Sequence, residues 1–227
     1  MNVFDYTGGT TMSREQQGEA PGRQRQAQKA ATRRLVLDAA RELFACKGYD
    51  KTTIRGVAKR AQVGLGTVCA HFPDKPSLLI AALLDDLVRV GTEAIASLPP
   101  VQVPVCDRFL HLAGCFYVYY AKQPALSRTL LRNIWFQDGQ WAMELKAKEE
   151  IFVGLTTGML EQARDQGEIR ADAECPLAAK AFFFNYIMVL FEGLGRSEFN
   201  PIESLELLSR ILDQLMQGIG GIAVGSR

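Results

Sequence analysis

Between Thr53 and Lys75 the chain gathers side chains able to hold a polyanion and to read the edges of bases. Thr67 and His71 can exchange hydrogen bonds with bases or phosphates, and the guanidinium of Arg55 suits either a phosphate or a guanine edge. Leu65, Thr67 and Ala70 offer the small apolar contacts that a thymine methyl accepts. Thr53 and Lys75 are expected as phosphate clamps, Lys75 because its ammonium lies near a helix N-terminus whose free N–H groups can share one anionic oxygen. Gly64 and Gly66 remove side-chain bulk, either for backbone approach to a duplex or merely for turn and N-terminal geometry. Residues 64–71 are expected to enter a major groove, which accepts one α-helix and displays a base-specific pattern of donors and acceptors.

Such side chains need a rigid mount, and the surrounding residues supply one. Thr53 can N-cap a short helix carrying Ile54, Val57, Ala58 and Ala61 at spacings of three and four. A second short helix answers with Val63, Val68 and Phe72, while Ala58 and Ala61 let the two backbones approach at a steep angle. Upstream, residues 32–47 interleave Leu35, Ala39 and Leu43 with Val36, Ala40 and Phe44 in one broad apolar stripe, an amphipathic helix stopped by Gly48. Tyr49 is placed to pack back over the cluster. A fourth helix is expected from the N-cap Asp74 through Lys75, Pro76 and Ser77, with Leu78, Leu79, Ala82, Leu83 and Leu87 as its apolar run.

The ordered series Leu35-x3-Ala39-Ala40-x2-Leu43-Phe44-x3-Gly48-Tyr49-x2-Thr52-Thr53-Ile54-x2-Val57-Ala58-x4-Val63-x2-Gly66-Thr67-Val68-x2-His71-Phe72-x2-Lys75 resembles the N-terminal domain of TetR-family transcriptional regulators. The resemblance covers residues 32–84; beyond it only helix layout is similar. It implies a bacterial homodimer that represses a promoter. Cys69 departs from the pattern, standing where the family usually has a tyrosine whose ring and hydroxyl reach the DNA backbone.

The charge pattern fits a head that meets DNA. Residues 1–77 hold 13 Lys+Arg and 7 Asp+Glu, while residues 78–227 hold 13 and 18, so a net charge of +1 conceals a basic head on an acidic body. Five cysteines without a CxxC pair argue against a disulfide framework or a zinc site, and no metal or cofactor is expected. No run of about 18 uninterrupted apolar residues is present and the N-terminus lacks an apolar signal core, so a cytoplasmic, nucleoid-associated protein is expected.

The chain divides into an arm at 1–28, a helix-turn-helix domain at 29–77 and a helical effector-binding and dimerisation domain at 78–227. The arm is Gly/Gln/Ser-rich and expected to be disordered without DNA; Arg23, Arg25, Lys29, Arg33 and Arg34 make its end basic, either to follow phosphates or as a plain solubilising tail. Pro99, Pro100 and Pro104 end the fourth helix, and helices are expected at about 105–121, 124–137, 140–167, 175–195 and 201–218. The fold class is therefore all-α, about nine helices, with a three-helix DNA-binding head and a larger helical body.

The last two helices carry more apolar surface than one partner covers. Phe184, Ile187 and Phe191 on one, with Leu205, Leu208 and Leu212 on the other, are expected at an isologous four-helix dimer interface, which would set two heads on a near-palindromic operator; the alternative is that both helices are fully internal. The body's aromatic residues offer walls for an effector cavity, with Tyr119, Trp141, Phe152 and Phe183 preferred and polar orientation from His111, Gln137, Thr156 or Asn185. A small apolar or aromatic ligand there releases DNA only by favouring wrongly spaced heads, with residues 77–97 as the hinge.

Enzyme chemistry is not expected: His71 and His111 fall in different domains, and no nucleophile elbow, phosphate-binding glycine loop or paired carboxylates are present. Two rivals keep DNA binding. One is redox input through Cys69; the other is a sequence-indifferent coat, which lacks the roughly thousandfold or greater operator preference of a repressor.

Overall fold

Val36, Ala39, Ala40, Leu43 and Phe44 recur at helical spacing and are all buried. They drive helix α1 (Ala20–Lys51), which breaks at Gly48, where φ is 77° and ψ is 167°, a conformation that glycine alone adopts readily. In the computed structural model residues 20–134 and 140–219 are described, and among them the chain forms nine helices and no strand. After α1 come α2 (Ile54–Arg60), α3 (Leu65–His71), α4 (Lys75–Ala96), α5 (Val105–Ala121), α6 (Pro124–Ile134), α7 (Gln140–Asp165), α8 (Cys175–Gly195) and α9 (Pro201–Ile219).

One expectation fails at the start of α1. Residues 20–28, expected to be disordered, are helical, and residues 22–31 are exposed on every side. Apart from Gly22 these are Gln, Arg, Ala and Lys, good helix formers, and extending a helix already nucleated by the packed stripe fixes one residue per hydrogen bond gained.

The caps hold as the residues dictate. The Gly56 N–H donates to Thr53 Oγ1 at 3.0 Å, and the Ser77 N–H to Asp74 Oδ1 at 2.7 Å. Val57 and Ala58 of α2, Val68 of α3 and the following Phe72 seal α2 and α3 onto α1. The first half of α4 is buried all round: every residue from Ser77 to Leu84 is inaccessible, so one core runs from the head into the body. In the body α7 lies on α8 and α5 on α9, while α6 touches both α1 and α4.

Candidate DNA interface and effector cavity

In the head, α3 turns one face inward through Val68 and leaves Leu65, Gly66, Thr67, Cys69 and Ala70 exposed. Gly64 is its N-cap, in extended conformation. Gln62, at φ 56°, makes the turn from α2, and the Val63 N–H returns to Ala58 O at 3.0 Å, fixing the angle between the helices. Thr53 and Arg55 are exposed at the start of α2, on the same head. His71 closes α3, partly covered; burial first, then the nearby Lys29 and Arg33 charges, hold its imidazole below the usual range. Neither Gly64 nor Gly66 has a positive φ, and a Cβ on Gly66 would meet nothing within 4 Å, so turn geometry requires glycine at neither position.

Lys75 is not free to clamp a phosphate. Its ammonium donates to the carbonyls of Tyr49 at 2.8 Å, Thr52 at 3.0 Å and Asp50 at 3.3 Å, and lies 4.2 Å from the Tyr49 ring centroid. All three protons are engaged in tying the loop after α1 to the start of α4. Thr52, given no role by its place in the sequence, supports the same loop: it is 2% exposed and its hydroxyl donates to Gly48 O or Leu43 O.

A cavity of about 620 Å³ opens among α4, α5, α6, α7 and α8. Leu112, Phe116, Tyr120, Phe152, Phe183 and Tyr186 form its aromatic and aliphatic floor, and Leu84, Leu87, Val88, Gly91, Thr92 and Ile95 give it a wall along α4. Lys146, Lys148 and Glu149 stand on the α7 side as its charged groups. The Phe152 ring is stacked 5.9 Å from Tyr186 and tilted 5.7 Å from Phe183, so these aromatics are held as a packed set.

Two of the four expected pocket residues, Phe152 and Phe183, line this cavity. Tyr119 does not: it turns to the other side of α5, where its hydroxyl donates to Asp86 at 3.4 Å, and the neighbours Phe116 and Tyr120 take the cavity side. The side chain of Trp141, and all of Gln137, lie outside the described residues. His111 stands in a separate cleft, 3.0 Å from Ser97 Oγ; Thr156 is buried and bonds back to Phe152 O; Asn185 bonds to Ala181 O. None of these three orients a ligand in the main cavity.

Asp86 also meets the head. Arg41 of α1 bonds to Ala82 O at 3.1 Å and pairs with Asp85 and, at 3.3 Å, with Asp86, so one carboxylate joins α1, α4 and Tyr119 of α5. The adjacent Tyr120 ring meets Tyr119 edge-on at 5.5 Å and faces the cavity.

The outer face of α8 carries the apolar surplus. Leu177, Phe184 and Met188 are 61%, 50% and 63% exposed, whereas Ile187 and Phe191 are half-buried. By length and composition α8 is apolar enough to cross a bilayer, yet its inner face, Phe182, Tyr186, Val189 and Leu190, is packed into the protomer core. On α9 the expectation is corrected: Leu208 and Leu212 are buried, and Leu205 packs towards Gly114 of α5. Residues 205, 208 and 212 form one stripe, which the protomer buries at Leu208 and Leu212 and covers in part at Leu205, while Ile202 is the exposed large apolar residue among those described on α9.

Residues 36–82 match the family described as bacterial regulatory proteins, tetR family. The HTH-type transcriptional repressor KstR of Mycobacterium tuberculosis (strain ATCC 25618 / H37Rv) is 29% identical over 144 residues, 62% of this chain and 61% of that protein. KstR of Rhodococcus jostii (strain RHA1) is 31% identical over 113 residues, 50% of this chain and 52% of that protein. The chain thus spans between about half and three fifths of the length of these curated relatives. Among solved structures, Thermus thermophilus FadR, a TetR-family repressor in complex with lauroyl-CoA, superposes with a TM-score of 0.65 at 23% identity, over 86% of this chain and 99% of that one. Capped α2 and α3 seated on α1 thus form, within residues 36–82, a helix-turn-helix that matches the tetR family of bacterial regulatory proteins, and the helical body shares its fold with FadR.

Proposed function

We propose that the protein is a homodimeric repressor that reads a near-palindromic operator with α3 and leaves it when an apolar ligand fills the body cavity. The observation that carries this reading is the outer face of α3: small, uncharged side chains and two unforced glycines, backed by a fully packed core. Glycine disfavours a helix relative to alanine even in its first turn, where Gly66 stands with open space around its Cα, so Gly66 is best explained by a surface that approaches from outside. Thr53, Arg55, Thr67 and His71 supply the polar contacts. The exposed stripe of α8 is the second copy's seat, with Phe184 at its edge.

Release follows from α4. Its first half is embedded in the head core, and its second half is a wall of the cavity. A ligand that binds better when that wall moves outward moves the head with it, and shifts the DNA-binding equilibrium only by its differential affinity for the two arrangements. The apolar floor and the lysines at the cavity's edge suit an elongated chain with an anionic end, and the FadR of Thermus thermophilus is described in complex with lauroyl-CoA. Titrating lauroyl-CoA into the protein bound to a fluorescent operator duplex tests this: release with wild type and none with Phe152→Trp is expected, and equal release by both contradicts the site.

A redox input is the second reading, favoured by the exposure of Cys69 on the outer face of α3. Loss of operator affinity with peroxide, restored by thiol reductant and absent in Cys69→Ser, supports it; indifference to peroxide removes it.

A further inference from the structure

Residues 22–31 of α1 are exposed on every side, and the first buried residue of the helix is Val36. A helix with no buried face has no packing energy of its own, and its standing depends on propensity, on side-chain pairs at three and four residues, or on a partner. Here the pairs work against it. Arg25, Lys29 and Arg33 follow one another at spacing four, like charges that disfavour the helix, and no acidic residue occurs between Ala20 and Leu37. The first two carboxylates of α1 that follow the stripe are engaged elsewhere: Asp38 with Arg41 and Glu42 with Arg60.

The direction of this basic stripe is fixed by its last member. The Arg33 guanidinium carbon lies 5.5 Å from the ring centroid of Phe72, the residue that follows α3. Lys29, one turn earlier, adds with Arg33 to the burial that lowers the His71 imidazole. The stripe therefore runs away from the His71 end of α3, and the stretch from Ala20 to Val36 projects about 24 Å from the core.

We propose that the exposed beginning of α1 is a rigid rail for duplex DNA phosphates, with Arg25 and Lys29 contacting the backbone beside the groove that α3 enters. This rests on the DNA-binding reading above and extends its footprint beyond the helix-turn-helix. A duplex places a phosphate about every 3.4 Å along each strand, so several lie within reach of such a length. A preformed helix holds its cations in register, without the ordering cost of a free basic tail.

The test is the salt dependence of binding to a duplex selected by the wild-type protein from a randomised library, with a mixed-sequence duplex if none is selected. Arg25→Gln/Lys29→Gln keeps helix-forming residues and removes four cations per dimer, so the slope of log K against log salt is expected to become shallower by about 3–4. Ala31→Pro keeps every charge but unwinds the helix upstream of it, and is expected to lose part of that slope. Circular dichroism confirms the helix content of each variant. If both variants bind the selected duplex with the wild-type slope, the rail is wrong and the DNA-binding reading stands. If only the Gln variant loses slope, the cations act as a flexible tail and the rigid rail is overturned. Should the wild-type protein bind neither duplex, both readings fall together.

Discussion

Lys75 separates a structural staple from a phosphate clamp. In Lys75→Met the aliphatic stem stays and three charge-assisted hydrogen bonds to Tyr49, Asp50 and Thr52 carbonyls go, together with the contact over the Tyr49 ring. A hydrogen bond to a charged group is worth about 1.5–3 kcal/mol where water is excluded, but these carbonyls are only partly buried and regain water. Counting about 1 kcal/mol for each bond and about 0.5–1 for the ring contact, less the lysine rotamer entropy released, leaves a loss of about 2 kcal/mol. For a chain of this length that lowers the unfolding midpoint by about 4–8 °C. Operator binding measured by anisotropy between about 50 and 200 mM salt is expected to keep its wild-type slope, because a phosphate clamp would cost about 0.9 per protomer. Lys75→Arg should recover little, since a planar fork does not present three converging donors as an ammonium does. The reasoning is refuted if Lys75→Met unfolds with the wild type while the salt slope falls by about 2 for the dimer.

Three further outcomes are expected. Gly66→Ala, with open space for its Cβ, should stabilise the head by about 0.5–1 kcal/mol in chemical denaturation yet weaken operator binding without changing its salt slope. The His71 imidazole is held below its usual value by burial and by Lys29 and Arg33, so its share of folding stability is present above about pH 6.5 and is lost as pH falls through the lowered value. Phosphates favour the imidazolium, so binding should take up a proton at each protomer and strengthen as pH falls, by at most about tenfold per unit for each His71 and about a hundredfold for the dimer, and His71→Gln should flatten a titration of affinity against pH. Met188→Glu places a carboxylate on the exposed α8 stripe away from the cavity lining; sedimentation is expected to find a dimer for the wild type and a folded monomer for the variant, and an unchanged dimer would move the interface elsewhere.

The helix-turn-helix was legible because its signals are local. The N-caps Thr53 and Asp74, the glycine stop at position 48 and the apolar spacing of 36–44 each act within a few residues. What the sequence hid depends on which groups converge in space. Nothing near Lys75 marks three carbonyls from a loop 23 to 26 residues upstream as its acceptors. On α5, spacing puts Phe116 and Tyr120 about 40° apart and Tyr119 about 60° beyond Phe116 on the far side, a distinction that aromatic content alone does not make. Leu205, Leu208 and Leu212 share one stripe, and that regularity was the available sign that α9 has a single apolar face to be covered by its own protomer. The start of α1 lacks any apolar periodicity, so only the contact of Arg33 with Phe72 shows where its charges lie.

If α3 reads bases and two copies do so together, the duplexes that bind must share a two-part motif. Selection of bound sequences from a randomised duplex library, run at two salt concentrations with Arg55→Ala alongside, tests it most directly. A palindromic motif is expected, with half-sites one helical turn or a multiple of it apart and relaxed at particular positions in Arg55→Ala. Salt-sensitive binding from which no motif emerges would contradict it, leaving the basic head as a general phosphate binder.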